Sequence, residues 1–137
     1  MNLKGLIKIS DSKSFKEKFF TCEGRLNRKP FILRIVVIWI LTMIIQEIIG
    51  AVIDPETSPF AFLGVYLVLS MPILVSSVMI TIRRLHDTEH SGWWWLAMMI
   101  PIVNLYVMYL TYFKKGTAGY NHYGADPIVD GKGEDII

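Results

Sequence analysis

Residues 60–82 read FAFLGVYLVLSMPILVSSVMITI, twenty-three residues without a charged side chain. A helix of that length covers about 34 Å, enough to cross a hydrocarbon layer of about 30 Å. Backbone groups in lipid find no water to bond, so such a run must be a helix rather than an open strand. Two neighbouring runs share its character. Residues 31–53, FILRIVVIWILTMIIQEIIGAVI, are interrupted only by Arg34 and Glu47, and residues 93–113, WWWLAMMIPIVNLYVMYLTYF, carry no charge. Together the three hold about half of the 137 residues. Only 19% of the chain is charged and its mean hydropathy is +0.43, whereas a soluble domain carries about a quarter charged residues. The composition excludes a disordered tail and an ordinary globular enzyme. Cys22 is the only cysteine, which excludes a disulfide scaffold. No series of alternating ten-residue segments suggests a barrel. The expected fold is all-α: an integral membrane bundle of three transmembrane helices preceded by an N-terminal amphipathic interfacial helix. Residues 1–23 form a basic leader, 24–127 the membrane domain and 128–137 a polar tail.

Charge placement orients this bundle. Nine of the 14 basic residues lie within the first 34 positions, the link 54–59 has none, and the link 83–92 has Arg83 and Arg84. The positive-inside rule then puts the N-terminus in the cytoplasm, the first link outside and the second inside. In the leader, Leu3, Leu6 and Ile7, then Phe15, Phe19 and Phe20, recur at helical spacing among lysines, as in a segment lying flat on an anionic leaflet. A net charge of +2 is too balanced to imply nucleic acid.

The third run admits two readings. Trp93, Trp94 and Trp95 make an interfacial anchor, but Pro101 and Asn104 interrupt the middle. It is either a kinked full span, leaving the tail outside, or a re-entrant hairpin turning near residues 101–104, which returns the tail inside. Irregular backbone at membrane depth needs protein cover, and few helices are available to give it, so the reading leans to the full span.

Three constellations and one isolated residue carry possible chemistry. Arg25, Arg28 and Lys29 crowd the entry to the first span, and arginine forks match phosphate oxygens. Arg83, Arg84, His86, Asp87 and His90 precede Ser91-Gly92-Trp93-Trp94. His86 and His90, four apart, form with Asp87 a weakly specific metal pattern. Asp87 is equally an ordinary partner for the arginines, so neither metal nor cofactor is expected. Residues 116–127, GTAGYNHYGADP, read as a glycine-rich turn bearing Asn121, Tyr123 and Asp126. Glu47 is an intramembrane carboxylate near the outer end of its span. It reaches the interface, stays protonated, or pairs with Lys114 if the third run crosses fully.

These pieces, in order, resemble the bacterial membrane family catalogued as domain of unknown function 805. The matching residues are Gly24-Arg25 with Arg28 and Phe31, Arg83-Arg84-Leu85-His86-Asp87 with Ser91-Gly92-Trp93-Trp94, Ile100-Pro101, and Gly116, Gly119, Asn121, Tyr123-Gly124 and Asp126-Pro127. The likeness covers roughly residues 20–127 and implies a small multi-pass protein of the bacterial inner membrane with no established activity. His90 and Asn104 depart from the family pattern, which weakens the metal triplet and a tight hairpin.

The resulting expectation is a non-enzymatic membrane protein. Arg25, Arg28, Arg83, Arg84, His86 and Asp87, joined by Asn121, Tyr123 and Asp126 if the tail lies inside, bind lipid headgroups or a partner protein at the cytoplasmic face. Membrane lipids and a membrane-protein partner or homo-oligomer are the expected partners. Two alternatives stand beside it. One is an oligomeric transporter or permease subunit assembled through the Ser70/Ser77 face. The other is a lipid-phosphate-modifying enzyme using His86 and Asp87 as acid and base.

Overall fold

The structure, a computed structural model, describes residues 18–129. The leader's residues 1–17 and the tail from 130 onward lie outside the described residues, and with them most of the expected interfacial helix. Two long helices dominate. Helix α1, Arg28–Val52, starts at Asn27, whose side chain accepts from the Arg28 amide. Pro30 sits in its first turn, where no intrahelical donor is needed. Helix α2, Pro59–Asp87, begins on a proline at its first position and runs on through Pro72. Between them Asp54 accepts from the Glu56 amide and its carbonyl from the Ser58 amide, closing a tight link.

These two helices span about 38 and 43 Å, and both are long and apolar enough to cross a membrane. Their apolar side chains point outward along most of that length. Trp39, Ile48 and Val68 are all at least 60% exposed, an apolar surface far larger than a water-soluble monomer presents. Burial gathers instead at one end. There Phe19, Leu26, Phe31 and Ile80 form one core, and Leu85, Val107 and Leu110 form a second. Phe19 therefore packs under the helix pair rather than lying out on a surface.

The third apolar run does not continue as a helix of spanning length. It divides into α3, Trp94–Ala97, and α4, Pro101–Met108, which passes into a π-helical turn, Tyr109–Phe113. The break falls at Ile100, which is extended (φ −92°, ψ 117°), because the ring of the following proline disfavours the helical region there. On the outgoing side, the amides of Trp94, Trp95, Leu96, Met98, Met99 and Ile100 bond carbonyls three residues back. That tight winding rises about 2 Å per residue, so residues 91–100 cover about 18–20 Å. The thirteen returning residues cover about the same at α-helical rise. The arms pack together, with Trp94 and Tyr106 ring centroids 5.7 Å apart.

Both ends of the run lie together, since the Thr117 amide bonds the Asp87 carbonyl at 2.8 Å. This corrects the full-span reading: a crossing would carry Thr117 about 30 Å from Asp87. The turn falls at Ile100, next to the residues 101–104 named for the hairpin. With it goes the pairing of Glu47 and Lys114, because Glu47 lies near the far end of α1 while the Lys114 carbonyl meets Arg84. Among the described residues there is no strand; Asn121 and Gly124 form one isolated bridge.

Candidate functional site

At the shared end of the two long helices, three chain segments converge on Asp87, the last residue of α2. The Arg25 Nε donates to Asp87 Oδ1 at 3.0 Å, and Arg84 Nη1 donates to Oδ2. The three side chains are at most 2% exposed. Arg84 approaches from one turn back on the same helix. Arg25 comes from the loop before α1, which is tied to α2 by the Leu26 amide on the Arg83 carbonyl (3.1 Å).

The remaining guanidinium donors go to main-chain carbonyls. Arg84 Nε donates to the Thr111 carbonyl at 2.8 Å and Nη2 to that of Lys114. Arg28 donates to the Phe113 carbonyl at 3.1 Å. These are carbonyls left without acceptor duty where the returning arm ends, and cations there also oppose the helix dipole. Arg25 takes the carbonyls of Thr117, Gly119 (2.6 Å) and Gly124 (3.3 Å) in the glycine loop. The loop reciprocates by capping α2. Thr117 donates to the Asp87 carbonyl through both amide and hydroxyl, and Asn121 Nδ2 donates to the His86 carbonyl at 3.0 Å. A side chain at Gly116 would overlap the Asp87 carboxylate, so only glycine lets the loop approach this closely.

Asp126 organises the far side of the loop. Its Oδ2 accepts from the Gly119 amide and its Oδ1 from the Ile128 amide, both at 2.9 Å. Those amides hold its carboxyl below the usual carboxylate range.

Of the residues expected at the site, Arg25, Arg84, Asp87 and Asn121 meet, with Arg28 and Asp126 around them. His86 and Tyr123 lie at the rim, their rings stacked with centroids 3.9 Å apart. Arg83 leaves the group. It donates instead to the Lys18 carbonyl, as does Arg34. Arg34 was not among the residues singled out from the sequence. Its signal was an arginine one turn inside an apolar run, a position where charge is costly and usually committed. Glu47 stays exposed at the opposite end of α1. His90 hydrogen-bonds Thr88 and packs edge-on to Trp94. Among the described residues, no three His, Cys, Asp or Glu groups converge as metal ligands. Ser70 and Ser77 spend their hydroxyls on carbonyls three residues back.

The family model described as "Protein of unknown function (DUF805)" matches residues 19–125. Inner membrane protein YhaI of Escherichia coli (strain K12) is 36% identical over 114 residues, covering 76% of this chain and 83% of that protein. Inner membrane protein YhaH of the same strain is 40% identical over 48 residues, covering 35% of this chain and 40% of that protein. No solved structure matches the chain.

Proposed function

Since the chain belongs to the DUF805 family, we propose that it is a non-enzymatic inner-membrane protein whose cytoplasmic face binds anionic lipid headgroups. In this reading α1 and α2 cross the bilayer, the third run re-enters and returns, and both chain ends face the cytoplasm. The carrying observation is the grouping of Arg28, Lys29 and Lys115 around one groove at the end of the molecule that the convergence on Asp87 holds together. Arg25, Arg84 and Asp87 are committed to one another and to the chain's own carbonyls. They act as a staple that holds the hairpin and the glycine loop on the end of α2. What this end offers to a membrane is the groove edge formed by Arg28, Lys29 and Lys115.

Two further observations support the reading. The relatives are named inner-membrane proteins, and basic residues near a cytoplasmic leaflet each gain about 1 kcal/mol from its surface potential. An acid–base pair of His86 and Asp87 is disfavoured, because the Asp87 carboxylate is taken by two guanidiniums while the His86 ring lies on Tyr123.

The test is lipid retention by the protein purified in mild detergent, with mass spectrometry of the bound fraction. Anionic lipids are expected to be enriched over the source membrane. The double variant Lys29→Gln/Lys115→Gln is expected to cut that enrichment by about one order of magnitude without lowering the melting temperature. Equal enrichment in the variant overturns the proposal.

A further inference from the structure

A groove of about 340 Å³ separates the start of α1 from the glycine loop, within the size range of small-ligand clefts. Asn27, Arg28 and Lys29 line one wall, Lys115 and Ala118 the other, and Asp126 joins them. Three cations against one carboxylate leave two positive charges in excess. The charges are also placed with some rigidity. Arg28 is tethered by its bond to the Phe113 carbonyl, and Asp126 is fixed by two loop amides while each oxygen keeps a further lone pair. Ile128 also lines the groove, and it and the next residue, Val129, expose apolar side chains. Ile32, three residues into α1 beyond Lys29, is exposed as well.

We propose that this groove seats one phospholipid headgroup of a particular class: a phosphodiester with a single negative charge and free hydroxyls, as in phosphatidylglycerol. The inference rests on the reading of this face as a headgroup surface and adds a site and a selectivity to it. The phosphate lies among Arg28, Lys29 and Lys115, where a guanidinium fork and two ammonium groups supply charge-assisted bonds. A headgroup hydroxyl donates to Asp126. The carboxylate also acts against competitors. A serine headgroup would bring a second carboxylate toward it, repelled at short range, and a phosphatidic acid has no headgroup hydroxyl to donate to it. A zwitterionic headgroup is neutral overall and leaves the two excess positive charges of the groove unbalanced. The exposed Ile128 and Val129 favour a lipid over a soluble phosphate ester, since only a lipid brings an apolar layer for them to enter.

The experiment uses the full chain in nanodiscs of phosphatidylethanolamine doped with phosphatidylglycerol, phosphatidylserine or phosphatidic acid, and native mass spectrometry counts the lipid kept on release. Phosphatidylglycerol is expected to be retained at one per chain, about tenfold over the other two, the worth of a hydrogen bond to a charged acceptor. Asp126→Asn should erase that discrimination. Ala118→Phe fills the groove without removing charge, so it should abolish retention at an unchanged melting temperature. It keeps the idea testable if Asp126→Asn unfolds the loop. Excess soluble glycerol phosphate should not displace the lipid; displacement would identify a free phosphate ester as the occupant and overturn the lipid assignment. Equal retention of all three anionic lipids overturns the selectivity and leaves the headgroup-binding face intact. Absence of any anionic preference overturns both.

Discussion

Glu89 is the one non-glycine residue with a left-handed backbone among those described, at φ 62°. The reason lies in how α2 ends. The His90 amide bonds the Leu85 carbonyl and the Glu89 amide that of His86, the paired closure of a Schellman motif, which places its left-handed residue at Glu89. Glycine normally fills that position. Glu89→Gly is therefore expected to stabilise the protein by about 1 kcal/mol, read as a higher melting temperature; its exposed 3.9 Å approach to His122 adds little to lose. Asp126 gives a pH dependence with a definite sign. Its folded-state pKa is depressed below the ordinary 3.8, so its contribution is fully present above that value. The contribution is lost as pH falls through the lowered folded-state pKa. Hydrogen-exchange protection of the Gly119 and Ile128 amides, corrected for intrinsic rate, should drop over that acid interval. It should already be low at neutral pH in Asp126→Asn. Protection that ignores both would show that the carboxylate does not hold the loop.

At the scale of elements, the hairpin and the glycine loop depend on three side chains. Arg84 and Arg25 satisfy carbonyls that would otherwise be buried without donors, and Asp87 balances them. Removing one partner of a buried ion pair leaves an uncompensated charge and costs roughly 3–5 kcal/mol. Asp87→Ala is expected to destabilise the fold by that amount. It should also expose the segment 114–124 to limited proteolysis while α1 and α2 persist by circular dichroism. A double-mutant cycle with Arg25 should show strong coupling. Additive losses would mean that the pair is incidental to the hairpin. The sequence singled out these residues and offered Arg84 as a partner for Asp87, but not the carbonyls that the guanidiniums meet. Clustered arginines before a membrane entry fit headgroup phosphates as well as they fit carbonyls, and spacing along the chain does not distinguish the two.

For the whole molecule, the return of the third run predicts that both chain ends share a side of the membrane. Reporter fusions at the N- and C-termini should both report the cytoplasm, and a tag in the link 54–59 the opposite side. A C-terminal reporter on the outer side would overturn this arrangement. The hairpin reaches about 18–20 Å, short of the roughly 30 Å hydrocarbon thickness. Its arms pack on each other through Trp94 and Tyr106 and on α2 through Leu85.

Membrane-spanning length and polarity were legible in residues 31–53 and 60–82 because lipid imposes its constraint locally, on every residue of a run. The bends, too, were marked by prolines whose effect is confined to adjacent residues. Tertiary structure alone decided that residues 93–113 turn back, that Arg83 joins Arg34 while Arg84 joins Arg25, and that Glu47 stands far from Lys114. Those outcomes hang on contacts such as Arg25 with Gly119, 94 positions apart. Which acceptor a buried guanidinium finds is set by the path of the backbone between them, and no local pattern records that path.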